Sequence, residues 1–406
     1  MKTLWIVSGG AEAMPGIRRA KDMGLHVVVS DGSPKAPGAL LADSFVLAST
    51  YDVNATVKAA KRYHREQRPV DGVISVAADV PLTVASVAAA LGLPGIPLET
   101  AQLAADKLAM KRRFAEKNIP IPWFQAVDSS EHLHELIRQR GFPLVIKPVD
   151  SRGARGVLRL SEKVDLDWAF QHARDNSPTG RVMVEEYLSG PQISTESLLL
   201  TGKAYTPGFS DRNYEFLECF SPYIIENGGE QPSALSPSDQ ETVKRCAEAA
   251  GRAMGIGAGI AKGDMVLTSE GPKVIEIAAR LSGGWFSTDQ IPLATGIDLV
   301  GAAISVALGG SPSDEELTPR YRRGVAIRYF FPEPGIITAI HNIEKARQIP
   351  GVYKLDFFLG PGEKVEPVTN HTKRCGYVIT SGADRSEALS RAAEVIGTVR
   401  IETRSV

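Results

Sequence analysis

Two acids and an arginine share one short stretch of this chain. Between Gly263 and Gly284, Asp264 and Glu276 flank the segment Thr268-Ser269-Glu270-Gly271, and Arg280 and the pair Gly283-Gly284 follow. The apolar residues around the acids, Met265-Val266-Leu267 and Val274-Ile275, predict a β-hairpin with one acid on each strand. A turn centred on Glu270 sets Asp264 directly opposite Glu276, with their Cβ atoms about 5 Å apart. Carboxylates that close repel each other unless a cation or a proton lies between them. In apolar strand surroundings the fitting guest is a hard cation such as Mg²⁺ with phosphate as co-ligand. The alternative is a structural ion network, which perturbs carboxylates in the same way.

Other segments carry groups suited to phosphate. Lys147 ends the apolar run Leu144-Val145-Ile146 and is followed by Ser151-Arg152-Gly153-Ala154-Arg155-Gly156-Val157. Glycines there permit tight curvature, and a loop rich in N–H groups can wrap phosphate oxygens. The Gly-Lys-Ser/Thr of a Walker loop is missing, and an exposed turn beside a snorkelling lysine is the competing reading. Val182-Met183-Val184-Glu185-Glu186-Tyr187-Leu188 predicts a strand running into a loop that could read an adenine edge, although taken alone the segment reads better as a partly exposed edge strand. Arg328 sits inside the apolar strand Val325-Ala326-Ile327-Arg328-Tyr329 and could enter the same cleft, or lie at the surface in a salt bridge. Asp211-Arg212-Asn213-Tyr214 and Glu226-Asn227-Gly228-Gly229-Glu230 flank an aromatic segment that could line a small polar pocket, or simply pack as a loop. His64, His132, His134 and His172 lack any matching ligand pattern and are read as ordinary helix residues. No serine elbow or Cys–His arrangement is present.

The elements that must position these groups alternate. Strands at Leu4–Val7, His26–Ser30 and Gly72–Val76 and helices at Pro15–Met23, Thr56–Arg65 and Pro81–Leu91 predict a parallel α/β layer over residues 1–98. Gly9-Gly10 at the end of the first strand and Asp31 at the end of the second resemble a dinucleotide turn only faintly, because the glycine fingerprint is incomplete. A long helix, Thr100–Asn118, then leads through Ile119-Pro120-Ile121-Pro122, where alternating prolines forbid helix, into a second α/β module. The turn-rich stretch Gly309–Glu316 predicts a boundary near residue 320, and beyond it strands and one helix predict a mixed α/β tail over 321–406.

Composition leaves this picture open. The 406 residues suggest two or three domains. With 46 basic and 47 acidic side chains the net charge is -1, which gives no global case for nucleic acid or an anionic membrane. There is no apolar run of about 18 residues that would predict a membrane span. The chain enters a strand almost at once, and its three widely spaced cysteines fit reduced thiols, so a cytoplasmic location is expected.

Taken in order, Lys107, the Lys147 strand, the glycine loop, Glu185 to Leu188, Asp264, Glu276 and Arg280 resemble the ATP-grasp superfamily. The likeness extends over nearly the whole chain, with Pro361-Gly362-Glu363-Lys364-Val365 and Arg374-Cys375-Gly376-Tyr377-Val378 matching the late pattern of a biotin-carboxylase-like C-terminal domain. It implies an N-terminal parallel α/β domain (1–98), a central ATP-grasp fold (99–320) and a C-terminal mixed α/β domain (321–406). It implies ATP bound by Lys107, Lys147, the loop residues Ser151, Arg152, Gly153, Ala154, Arg155 and Gly156, a hinge of Glu185, Glu186, Tyr187 and Leu188, and Gln192 near the ribose. It further implies Mg²⁺, with Mn²⁺ able to substitute, on Asp264 and Glu276, and Arg280 and Arg328 as catalytic arginines. Ala278 stands where many members carry an asparagine ligand.

The implied reaction is ADP-forming ligation of a small carboxylate to an amine through an acyl phosphate, in the style of L-amino-acid ligases, by a homodimer. A purine-biosynthetic ligase or carboxylase and a non-catalytic ATP-binding regulator are the alternatives.

Overall fold

The computed structural model describes residues 1–405. The N-terminal part is a parallel sheet of four strands in the order Ser44–Leu47, His26–Asp31, Thr3–Val7 and Gly72–Ile74. Its central strand is buried throughout, as the unbroken apolar run requires of a strand covered on both faces. The turn after that strand is closed on itself. Asp31 accepts from Gly9 N at 2.9 Å and Ser33 N at 2.9 Å, and Gly38 N donates to Gly9 O at 2.7 Å. Asp31 is thus engaged in local structure. One face of this sheet shares a core with the rest of the molecule, where Leu4, Ile6 and Val29 cluster with Leu198, Leu281 and Ile304. The docking is close: a Cβ at Gly72 would stand 2.7 Å from Ala307 O.

The expected long helix over 100–118 is two helices, Leu98–Ala105 and Lys107–Glu116. Asp106 between them is extended (φ -131°, ψ 104°) and caps the second by accepting from Ala109 N at 2.9 Å, while its other oxygen binds Arg181 at 2.5 Å. The break makes Lys107 the first residue of a helix, at the cavity described below.

Two antiparallel sheets complete the centre. A four-stranded sheet runs Phe124–Val127, Val182–Glu186, Leu144–Pro148 and Leu158–Leu160. An eight-stranded sheet begins with the hairpin Gly271–Ala278 and Gly259–Thr268, continues through Gln192–Leu200, Lys203–Asn213 and Gly228–Gln231, and goes on into Gly324–Phe330, Gly376–Gly382 and Val352–Phe357. This sheet crosses residue 320 without a break, since Gly228–Gln231 pairs with Gly324–Phe330. A small sheet of Lys364–Val365, Gly335–His341 and Arg400–Arg404 ends the chain, giving the three-part α/β architecture. Among the described residues no helix is long and apolar enough to cross a membrane.

The hairpin forms with Asp264 opposite Glu276, but by a different route from a turn centred on Glu270. Its turn has two residues, Ser269 and Glu270, between the paired Thr268 and Gly271. That register would put Ile275 opposite Asp264. An irregularity after the Met265–Val274 pair leaves Ile275 unpaired and brings Glu276 into place.

Candidate active site

All three parts contribute to one cavity of about 750 Å³. Its floor is the hairpin. Asp264 and Lys262 share a face of one strand, and their register partners Glu276 and Ala278 share a face of the other. Asp264 is gripped by Lys262 and by Arg212 at 2.9 Å, and Glu276 by Lys107 at 3.2 Å. Burial would raise the Asp264 carboxyl, but Arg212 and Lys262 outweigh it and hold the group well below its ordinary range.

Lys147 and the glycine loop form the opposite wall. Lys147 is buried and pairs with Glu185, which also receives Lys111 at 3.3 Å. Lys111 is fully buried and anchored by Val274 O at 2.9 Å, so it ties the hairpin to the strand carrying Glu185. Burial pushes the Lys111 ammonium down to about 8, which leaves it charged at neutral pH. In the loop, Gly153, Ala154 and Gly156 all take positive φ (62°, 60° and 71°). A side chain at Gly156 would strike Asn176 Cβ at 2.7 Å and Pro148 Cγ at 2.8 Å. Lys107 Nζ donates to Ser151 O at 2.8 Å, linking loop to floor.

The third wall joins the N- and C-terminal parts. Arg280 lies 3.5 Å from Asp79, which follows the strand Gly72–Ile74, and Asp79 lies 3.7 Å from Arg152 of the loop. Glu12, just after the first strand, accepts from Gly284 N at 2.7 Å. From the C-terminal part, Arg374 stacks on Tyr329 at 3.7 Å and donates to Glu226 O at 2.5 Å. His371 accepts from Glu226 N through Nε2 at 3.3 Å, which assigns its proton to Nδ1. Burial, and then Arg374 and Arg212, keep that imidazole well below its ordinary value and therefore neutral. Glu226 itself pairs with Arg212 at 2.5 Å.

Of the residues singled out from sequence, Lys107, Lys147, Ser151 to Arg155, Glu185 to Leu188, Gln192, Asp264, Glu276 and Arg280 all line this cavity. Gly156 supports the loop from behind. The Glu185 carboxylate is committed to two lysines, which leaves its backbone for the hinge. Arg328 is not in the cavity. Its neighbours Ile327 and Tyr329 line it, so strand alternation turns Arg328 to the other face, where it pairs with Glu230 at 2.8 Å. The arginine that enters from the C-terminal part is Arg374.

The family models that match are an ATP-grasp N-terminal domain over residues 17–95, an ATP-grasp domain over 104–284 and an L-amino acid ligase C-terminal domain 2 over 328–404. The chain belongs to the ATP-grasp superfamily. Among curated relatives, a formate-dependent phosphoribosylglycinamide formyltransferase of Saccharolobus solfataricus is 25% identical over 401 residues, covering 94% of this chain and 93% of that protein. A phosphoribosylamine–glycine ligase of Methanosarcina barkeri is 27% identical over 336 residues, covering 77% and 75%. In fold, the chain superposes on the L-amino acid ligase of Bacillus licheniformis with a TM-score of 0.83 at 22% identity, over 100% of this chain and 99% of that one. The superfamily's ADP-forming ligase chemistry is thus the chemistry of this architecture.

The residues present fit the cofactors of an ATP-grasp protein. Among the described residues no three His, Cys, Asp or Glu side chains cluster as a metal cage. Two facing carboxylates beside a phosphate cradle suit Mg²⁺, which keeps waters and shares phosphate oxygens rather than filling a protein cage. Ala278 adds no donor, and opposite it Lys262 brings a cation instead. Arg374 Nε is buried without a hydrogen-bond acceptor, which suits an anionic guest.

Sequence reasoning missed Glu12, Asp79, Lys111, Lys262 and His371 as site residues. A signal existed for two of them: Glu12 and Asp79 follow the carboxyl ends of adjacent parallel strands, where ligands of open α/β sheets gather. The others depend on strand pairing and long-range packing that no local pattern carries.

Proposed function

We propose that this chain is an ADP-forming ligase that joins a small carboxylate to an amine through an acyl phosphate. The observation that carries this reading is the in-register pair Asp264 and Glu276 on the floor of a cavity whose walls hold Lys107, Lys147, the glycine loop and Arg280. When bound, MgATP supplies the phosphoryl group that activates the carboxylate and the divalent charge that neutralises it. Asp264 and Glu276 are the residues to hold the metal, and Lys107, Lys147 and the backbone of Ser151 to Gly156 to hold the phosphates. The hinge of Glu185, Glu186, Tyr187 and Leu188 would receive the base, and Gln192 the ribose. Arg280 orients the substrate carboxylate and stabilises its developing charge. The closed loop excludes water from an intermediate that water would destroy.

Two substrate readings share this chemistry. The names of the curated relatives favour a purine-biosynthetic ligase or transferase, acting on a phosphoribosyl amine. The C-terminal match to an L-amino acid ligase domain favours an amino-acid ligase. One feature of the cavity weighs with the second: Lys373 pairs with Glu366 and does not line the cavity, so beside His371 and Thr372 its loop offers Arg374 as its one cation at the wall, a sparse setting for a phosphate.

Incubation with ATP, Mg²⁺ and either amino acids, or phosphoribosylamine with glycine and phosphoribosylglycinamide with formate, separates the two by the mass of the product. Stoichiometric ADP and phosphate accompany either product. ATP binding with no ADP formed in any mixture would instead establish a regulatory protein. Glu276→Gln is expected to abolish turnover with the circular dichroism spectrum unchanged, and to remove the response to Mn²⁺ in place of Mg²⁺; full turnover in this variant would sink the metal assignment.

A further inference from the structure

An amine reaches such a site at neutral pH as an ammonium ion, and it must lose a proton before its nitrogen can attack an acyl carbon. Seven carboxylates line the cavity, and six of them are committed to cations. Asp79 holds Arg280 and Arg152, Glu185 holds Lys147 and Lys111, and Glu226 holds Arg212. Asp264 holds Arg212 and Lys262, Glu276 holds Lys107, and Glu186 lies 3.8 Å from Lys273. The cavity's one histidine, His371, has its Nε2 engaged by Glu226 N.

Glu12 is the exception. Among the described residues no lysine, arginine or histidine lies within 4.0 Å of its carboxylate, and its one hydrogen bond comes from Gly284 N at 2.7 Å. That bond fixes the carboxylate beside the Gly283-Gly284 turn, four residues after Arg280. Gly283 is pressed against it, since a Cβ there would stand 2.7 Å from Glu12 Oε2.

We propose that Glu12 is the amine subsite and general base of the ligation, a reading that rests on the carboxylate–amine ligase assignment above. Its carboxylate takes one proton from the substrate ammonium. The freed nitrogen lone pair forms the C–N bond, the acyl C–O bond to phosphate breaks, and the departing phosphate takes the second proton, leaving amide and hydrogen phosphate. A carboxylate without a resident cation is the natural receptor for the substrate's own.

The groups facing Glu12 are Gly284 N and Arg280 beyond the hairpin, Arg374 from the loop before the strand Gly376–Gly382, Tyr377 on that strand and Tyr329 on its neighbour. Burial raises the Glu12 carboxyl above its ordinary value, against the hydrogen bond from Gly284 and the fields of Arg280 and Arg374. This strengthens it as a base.

Hydroxylamine provides the test, because it is already neutral at pH 7 and attacks acyl phosphates to give hydroxamates. Wild type and Glu12→Gln are assayed with ATP, Mg²⁺ and a pool of amino acids, acetate and formate as carboxylates, with either hydroxylamine or amino acids as the nucleophile. The variant is expected to lose about 100-fold or more in kcat/KM for the amines, within the usual range for a general base, and less than about threefold for hydroxylamine. Its residual rate with amines should climb about tenfold per pH unit toward the amine's own pKa, while wild type shows an earlier acidic limb. Glu12→Asp, which keeps the carboxylate, should recover part of the amine rate. Equal retention of both nucleophiles in Glu12→Gln, or equal loss of both, overturns the assignment. A wild type that makes no hydroxamate from any carboxylate overturns the ligase reading, and this inference with it.

Discussion

The charges of this cavity are mostly paired before any ligand arrives, and the buried triad Lys111, Glu185 and Lys147 shows what that pairing does. Burial alone would raise the Glu185 carboxyl, but the two ammonium groups more than offset it and hold it below its ordinary value of 4.5. A carboxylate shifted down stabilises the fold above its unfolded pKa, and that contribution is lost as pH falls through the folded value. Replacing Lys111 by Met leaves Glu185 with one partner in a dry site, at an expected cost of about 3 kcal/mol. Denaturant unfolding at pH 7 measures this; a change under about 0.5 kcal/mol would mean that Lys147 alone satisfies Glu185. Glu196 has the opposite sign. Buried, with Ser282 N and Ser287 Oγ donating at 2.9 and 2.6 Å, it is raised above its ordinary value by desolvation. Its ionisation therefore erodes stability as pH rises. Glu196→Gln should raise Tm at pH 8, and the gain should vanish below about pH 4.5, where the wild-type acid is protonated in folded and unfolded chains alike. Thermal scans across that range decide it. Neither role was legible from sequence: Glu196 lies in an ordinary strand pattern, and Lys111 occupies a helix position that reads as a solvated charge.

At the scale of elements, the sequence carried most strands and helices, because parallel strands buried on both faces and amphipathic helices have distinct periods. The helix Pro81–Leu91 falls at its expected bounds. Two misreadings were the break at Asp106 and the route by which the hairpin pairs, and the helix Pro237–Ala253 and the strands Gln192–Leu200 and Lys203–Asn213 were not read at all. Asp106 interrupts an apolar pattern that continues through it, with no glycine or proline to mark the stop, so its capping role shows only once Ala109 N is seen to bond to it. The bulge at Ile275 left no mark because a turn centred on Glu270 predicts the same final pairing. The continuity of the eight-stranded sheet past residue 320 was likewise hidden, since strand order is set by pairing between residues almost 100 apart. Asp106 offers a test of what the break achieves. Asp106→Ala removes both the cap and the tie to Arg181, and should cost about 1 kcal/mol from the cap while raising the KM for ATP through Lys107. Asp106→Asn keeps a capping oxygen and should restore most of the stability. Equal ATP affinity in Asp106→Ala and wild type, by calorimetric titration, would show that Lys107 is positioned without the break.

At the scale of the whole molecule, no part owns the site, and the glycine loop is where the three meet. Arg152 of the loop reaches Asp79 at 3.7 Å and covers the Tyr51 ring at 4.7 Å, both in the N-terminal part. On its other side Gly153 O accepts from His371 N at 3.0 Å, from the C-terminal part. Asp79 also holds Arg280, so the carboxylate that latches the loop is the one that orients an arginine of the cavity wall. Burial would raise Asp79, but Arg280, Lys107 and Arg152 outweigh it and keep it ionised. Loop closure and Arg280 placement therefore draw on a single charge. Asp79→Asn should weaken both, whereas Tyr51→Ala should loosen the loop alone. Trypsin cuts after arginine, so cleavage at Arg152 and Arg155, followed by mass spectrometry with and without an ATP analogue, reports the loop directly. Both variants should be cut faster than wild type and be less protected by the analogue, and only Asp79→Asn should lose more turnover than the loop's opening explains. Cleavage at the wild-type rate in Asp79→Asn would leave the His371 contact as the latch, and the N-terminal part as a wall of the cavity rather than a partner in closing it.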